Sequence, residues 1–429
     1  VLIYVVQLIN YLVLDSPEID KLAGIQFYCT KFSGIGGSIK NSNKDFKVSE
    51  LVDKRFLDSL SSIQDGVSRY PIYILEKNNI DSNHALIEIE MKLGLRLKIM
   101  GIKDAKAYST QYVSSEQTKK LPKVAKTQNT TITLLGFSRA PLKKSLLCGN
   151  EFVITVQEPR FSDISSFIPE IKNIANFYGL QRFGRERLVT HLVGKEIVKR
   201  NFRKSIELLL SYTTEYDSAV SKEIRNKLRD PINYPHIYKQ LPKWMDIEFM
   251  VLSALVKGKE SITVLRSIPI SIRRLFIQAY QAYLFNKCLS NAIMNGEDLS
   301  VPKRGDLCFE IEDNDSFGKV RKFNPTIDKA SKTVPAIRLA GYTFQPGKGR
   351  FETITTNILK DECVFPRDFY VSEMEELSAQ GGFRQAPLLC RDFHYLNSLV
   401  LSFKLSAGSY ATILLREIMK PLDPIKAGF

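Results

Sequence analysis

Histidine is scarce in this sequence, and closely paired cysteine is absent. Its four histidines (His84, His191, His236 and His394) lie far apart among 429 residues, so no metal-binding cluster is visible. The six cysteines, at positions 29, 148, 288, 308, 363 and 390, include no C-x-x-C pair. That excludes a zinc knuckle and, in so long a chain, a disulfide scaffold; it fits a reducing, cytoplasmic setting. No apolar run reaches the roughly twenty residues of a membrane-spanning helix. The glycine-rich GIGG at 34–37 is followed by no G-K-[ST] and sits in no Rossmann spacing, which argues against nucleotide binding. Neither a G-x-S-x-G elbow nor an H-E-x-x-H pair occurs. Chemistry is left to carboxylates, lysines and aromatics, with no metal and no cofactor expected.

What the chain does have is positive charge. Lysine and arginine number 61 against 46 acidic residues, a formal charge of +15 and a pI near 9.3. Such an excess fits a polyanionic partner, nucleic acid first and anionic membrane second. The apolar stretch VLIYVVQLINYLVL, residues 1–14, is too short to span a bilayer and has neither the basic flank nor the cleavage site of a secretory signal. It reads as an extension ahead of the folded domain, with no stable membrane association expected.

From about 24 to 160 the pattern alternates between strand and helix. IYILEK (72–77) reads as a strand; HALIEIEMKLGLRL (84–97) puts Leu86, Ile89, Leu93 and Leu97 on one helical face; AYSTQYV (107–113) is again strand-like. GIKDAK (101–106) therefore falls in a turn at a sheet edge. A helix is predicted over 164–178, capped by Gly179 in the left-handed region, and another from Glu186 to Arg200. IRRLFIQAYQAYLFNKCL (272–289) predicts a long helix whose Phe276, Tyr280 and Leu284 face the core. Residues 294–350 read as loops and small hairpins.

The densest chemical candidate is that turn. Asp104 lies between Lys103 and Lys106, and ammonium groups close to a carboxylate favour its charged, nucleophilic form. An aspartate in a turn is ordinarily just a turn residue; the surrounding sequence changes this reading.

GIKDAKAYSTQ (101–111) resembles the TruD family signature, G-x-K-D-x-x-A-x-[ST]-x-Q. Six further stretches resemble that family in order: GIGGSIKNSNKDFKVSE (34–50), LLCGNEFVITV (146–156), NFYGLQRFG (176–184), THLVGKEIVKRNF (190–202), AYQAYLFN (279–286) and FKLSAGSYATILLREIMK (403–420). The resemblance covers about residues 17–420 and is closest to archaeal members. It implies an α+β fold, a pseudouridine-synthase core with a mixed, largely antiparallel sheet and flanking helices. That core would take residues 15–205 and 372–429, with an α/β TRUD domain inserted at 206–371.

The implied activity is isomerisation of uridine 13 of tRNA to pseudouridine with Asp104 as nucleophile. The reaction is redox-neutral, in keeping with the missing cofactor motifs. The carboxylate attacks either C1′ of the ribose or C6 of the uracil, a choice that the sequence leaves open, and the base must first leave the RNA stack. Lys40 matches the family's active-site lysine and would hold the carboxylate or a phosphate. Asn176 matches the asparagine of N-x-F-G, with an amide suited to the uracil edge. Tyr178 departs from the usual phenylalanine and would stack on the flipped base. Lys103, Lys106, Arg182, Arg185, Arg187, Lys195, Lys199 and Arg200 are the candidate phosphate contacts, a basic surface for tRNA. The rival readings are a non-catalytic RNA-binding protein or RNA chaperone on the same fold, and a membrane-surface protein using residues 1–14.

Overall fold

The computed structural model describes residues 14–67, 69–117, 121–312, 316–396 and 399–429. Apart from Leu14, the extension read at 1–14 lies outside the described residues.

After a short helix at Glu18–Leu22 the first seven strands are β1 (Phe46–Val52), β2 (Tyr70–Asn78), β3 (Leu97–Ile99), β4 (Tyr108–Ser115), β5 (Val124–Lys126), β6 (Thr130–Ser138) and β7 (Leu147–Thr155). Alternation drives them: in β2 the side chains of Tyr73, Leu75 and Lys77 all point inward and are buried, as the period of two requires. Between β2 and β3 runs helix α1 (Ser82–Leu93). The Asp81 carboxylate caps its start by accepting from the backbone N–H groups of Asn83 and His84. Gly94, with φ 63°, ends it. Leu97, predicted on that helical face, is therefore in β3 instead, because the glycine stops the helix a turn early.

The predicted helix at 164–178 is also corrected. Residues Ser165–Asn173 form a 3-10 turn with Pro169 inside, and the chain then runs extended, with Ala175 bridged to Pro387. Pro169 lacks the N–H that an α-helix would need there. Gly179 is extended (φ −73°, ψ 167°); the left-handed glycine is Gly184, φ 94°, which closes the short turn Leu180–Phe183.

Helix α2 (Thr190–Val198) packs across the long helix α3 (Ile270–Met294). The approach is so close that a Cβ on Gly194 would stand 2.0 Å from the carbonyl oxygen of Phe276; only glycine permits it. Phe276, Tyr280 and Leu284 are buried as expected. The 294–350 region carries hairpin strands β8 (Leu307–Ile311), β9 (Phe317–Lys322) and β10 (Thr333–Leu339). With β11 (Gly382–Gln385) they make a four-stranded antiparallel sheet, in the order β11-β10-β8-β9. The chain returns to the large sheet as β12 (Cys390–Tyr395) and β13 (Val400–Ser406), followed by helix α4 (Ala411–Met419).

The large sheet runs β12-β13-β7-β1-β4-β2-β6-β5, with β3 also on β4. Among the described residues β1 and β4 are its one parallel pair. This pairing puts the β3–β4 turn, and Asp104 with it, at the end of the sheet beside β1. A buried ionic knot ties the first described segment to α4. Arg416 Nε donates to Asp20 Oδ2 at 2.6 Å, and Glu417 accepts from the backbone N–H groups of Cys29 and Thr30 at 3.0 Å. The Arg416 guanidinium also lies 4.0 Å from the centroid of Tyr28. The R-E pair of the last sequence motif is thus a clasp.

Candidate active site

Asp104 is held by its backbone while its carboxylate stays 60 % exposed. Gln111, on β4, donates to the Gly101 carbonyl at 2.6 Å. Ser82 Oγ accepts from the Lys103 N–H at 2.9 Å and donates to Gln111 Oε1 at 2.7 Å. The Lys77 ammonium donates to the Asp104 carbonyl at 2.8 Å. The last residue of the G-x-K-D…Q signature therefore works by fixing the first.

Lys40 reaches Asp104 from the loop ahead of β1, with Nζ 3.5 Å from Oδ2. Its backbone is left-handed, φ 61°, and its side chain is only 5 % exposed. The ammonium also lies over the Phe46 ring, 4.7 Å from the centroid. Burial pushes its pKa down; the Asp104 carboxylate opposes that shift, and Arg185 and Lys106 add to it. Lys103, expected beside Asp104, turns the other way, and its Nζ bonds the fully buried Glu50 carboxylate at 3.0 Å.

These residues line a cleft of 420 Å³, within the roughly 300–1,000 Å³ usual for small-molecule sites. Tyr178 faces into it, with Arg182, Lys144, Asn150 and the 408–412 segment completing the wall. The backbone of Tyr178 is gripped from both sides by Asn286, whose Oδ1 accepts from the Tyr178 N–H at 2.8 Å and whose Nδ2 donates to its carbonyl at 3.0 Å. That gives the asparagine of AYQAYLFN its purpose. The ring packs edge-on against Phe285 and Tyr410, with the Arg384 guanidinium 3.9 Å from its centroid. Five basic side chains and one acid line the cleft, so its field is positive.

Asn176 is not in this wall. It is fully buried; its amide donates to the Gln385 carbonyl at 3.3 Å, and its Oδ1 accepts from Arg384 at 3.1 Å. Its side chain supports Arg384 rather than facing a base.

The eight candidate phosphate contacts divide. Lys103 and Arg182 line the cleft, and Lys106 is exposed beside it. Lys199 is partly exposed. Arg185 Nε donates to the Phe429 carbonyl at 2.6 Å. Arg187 is spent inside the fold, on Glu248 at 3.2 Å and on the carbonyls of Tyr212, Leu208 and Leu209. Lys195 pairs with Glu362 at 2.7 Å, and Arg200 bonds the carbonyls of Val198, Asp368 and Tyr370. Arg187 is corrected to a structural cation, whereas Lys195 and Arg200 have partners within the fold and stay partly exposed: charge along a sequence does not distinguish a solvent face from a partnered one.

Sequence reasoning missed Lys77, Asn150, Lys144 and Arg384. Lys77 had a signal, since a lysine on the inward phase of an alternating strand is anomalous. Asn150 sat inside a quoted motif; its amide oxygen is buried with no hydrogen-bond partner. Lys144 and Arg384 carried no local signal.

A crystal structure from Methanosarcina mazei that bears the name tRNA pseudouridine synthase D (TruD) superposes with a TM-score of 0.75 at 27 % identity, covering 96 % of this chain and all of that one. The expected α+β fold with a mixed, largely antiparallel sheet is borne out. Fold and cleft together define a pseudouridine synthase, an isomerase. The chain also matches the family model described as tRNA pseudouridine synthase D (TruD) over residues 22–418. Relatives of that name from Pyrobaculum islandicum and Methanococcoides burtonii are 31 % and 29 % identical; the matches span 97 % and 96 % of this chain and 100 % and 99 % of theirs. This chain belongs to the TruD family.

Proposed function

We propose that this protein isomerises uridine 13 of tRNA to pseudouridine, with the Asp104 carboxylate as nucleophile and no cofactor. The N1–C1′ bond breaks, the uracil turns, and a C5–C1′ bond forms as the C5 proton leaves and N1 gains one, so nothing is oxidised or consumed. The observation that carries this reading is the Lys40–Asp104 pair, 3.5 Å apart at the mouth of a basic cleft. The buried ammonium holds the carboxylate in place, aimed into the cleft for attack. Tyr178 offers a ring for the flipped base, and Asn150, with its unpartnered amide oxygen, takes the hydrogen-bonding role expected of Asn176. Lys106, Arg182, Lys144 and Lys199 are the phosphate contacts in this reading.

The catalytic part would comprise residues 15–205 and 372–429, and the insert 206–371. In support, every strand of the large sheet comes from the first set, although β10 and β11 pair across the division. Position 13 is what the family resemblance implies.

The test is to incubate wild type and Asp104→Asn with unmodified tRNA and map pseudouridine. The wild type should modify position 13. The variant should bind tRNA nearly as well and form none, because one charge matters little against a broad basic surface. Pseudouridine made by the purified variant sinks the role of Asp104, and modification elsewhere sinks the position. Binding without modification by wild type returns the protein to the RNA-binding or chaperone reading.

A further inference from the structure

Lys77 is the buried charge nearest the nucleophile's backbone that the proposed reaction has not used. It sits on the inward phase of β2, 1 % exposed. Its ammonium donates to two carbonyls, Ile80 at 2.7 Å and Asp104 at 2.8 Å. Those carbonyls belong to the turn that opens α1 and the turn that presents the nucleophile. A lysine is costly to bury without a full counter-charge, and a neutral donor would satisfy either carbonyl. What the ammonium adds is strength, since charge-assisted hydrogen bonds are roughly twice as strong as neutral ones, and reach, since one group spans both turns.

We propose that Lys77 is a positioning residue of the isomerisation: by joining the carbonyls of Ile80 and Asp104 it fixes the direction from which the Asp104 carboxylate enters the cleft. This rests on the reading of Asp104 as nucleophile. Gln111 and Ser82 hold the turn at Gly101 and Lys103; among the described hydrogen bonds, Lys77 is the side chain that holds Asp104 by its own carbonyl.

Burial pushes the Lys77 pKa down to about 8, opposed by the Asp104 and Asp81 carboxylates and reinforced by Lys103. The sign follows. Between about pH 8 and the unfolded lysine value the unfolded chain binds more protons, so this group makes the fold more stable as pH rises. Over the same interval the ammonium is lost, its two bonds weaken, and the positioning it supplies declines. Stability and turnover should therefore move in opposite directions.

The experiment is single-turnover pseudouridine formation on one tRNA transcript by full-length wild type, Lys77→Met, Lys77→Gln and Asp104→Asn from pH 7 to 9.5, with tRNA affinity measured alongside. At pH 7 Lys77→Met should be slowed about a hundredfold, the usual scale for a misplaced reacting group, with the tRNA Kd within twofold. Lys77→Gln, which keeps a neutral donor, should fall between. The wild-type rate should drop above about pH 8 relative to Lys77→Met, closing the gap. A Lys77→Met rate within twofold of wild type, a rate loss matched by an equal loss of tRNA affinity, or a wild-type-to-Met ratio constant across the pH range overturns the proposal. Should Lys77→Met fail to fold, Lys77→Gln decides by the same criteria. Turnover by Asp104→Asn would instead remove the nucleophile assignment, whatever Lys77 does.

Discussion

The Arg384 guanidinium lies 3.9 Å from the centroid of Tyr178 while also bonding the carbonyls of Asn176 and Gly408. The ring therefore has a rigid, charged backing, and its remaining surface is what the cleft offers a base. On this geometry Tyr178→Phe should keep most activity and Tyr178→Ala should lose about five- to a hundredfold, the range for one lost base–aromatic stack. Single-turnover rates on one tRNA decide. A loss of two or more orders of magnitude in Tyr178→Phe would transfer the role from the ring to the hydroxyl.

Lys106 and Arg187 both looked like phosphate contacts, yet they should respond in opposite ways. Lys106→Ala should weaken tRNA binding, lower the slope of log affinity against log salt by about one, and leave the melting temperature unchanged. Arg187→Ala should cost about 3 kcal/mol of stability, because it strips donors from three carbonyls and one cation from buried Glu248. Thermal melts and salt titrations of the pair test this; an unshifted melt for Arg187→Ala would return that residue to the surface.

Gly194→Ala should destabilise the protein by about 1–3 kcal/mol, since its Cβ would collide with the Phe276 carbonyl and force α2 away from α3. Urea unfolding measures it. A gain in stability, as expected for alanine in an unconstrained helix, would contradict the close approach.

His191 should make the protein acid-sensitive. Burial, between Phe183 and Tyr283, holds its pKa down at about 4. A depressed histidine leaves the unfolded chain binding more protons between about pH 6.5 and 4, so stability falls as pH falls through that window. The loss by pH 4 is about 3 kcal/mol. His191→Gln should flatten this part of the stability–pH curve; an unchanged slope would assign the sensitivity to other groups.

The sequence was most informative where chemistry and local pattern coincide. Asp104, Lys40 and Tyr178 stood in motifs and meet in one cleft; the β2 and α3 patterns needed only periodicity. It misled where a partner lies far along the chain. Arg187 finds Glu248, Lys195 finds Glu362, and Asn176 finds Arg384; nothing within a window of residues marks such a pairing. The departures from helix near 97 and 169 have local causes, since Gly94 and Pro169 are both helix breakers. Lys77 is legible too, because a lysine on the inward phase of an alternating strand is an anomaly.

The Arg416 clasp has a consequence for how the protein comes into being. Asp20 waits for a partner made 396 residues later, and the strands that flank β7 on one side, β12 and β13, are also late arrivals. On the ribosome the first seven strands of the large sheet emerge with β7 unpaired on one side and with an Asp20 carboxylate whose arginine does not yet exist. Contacts of such sequence separation form slowly and leave apolar surface open meanwhile. The cleft, lined from Lys40 through Thr412, gains its last wall only when the 408–412 segment has been made, so its completion is tied to the same late contacts as the clasp.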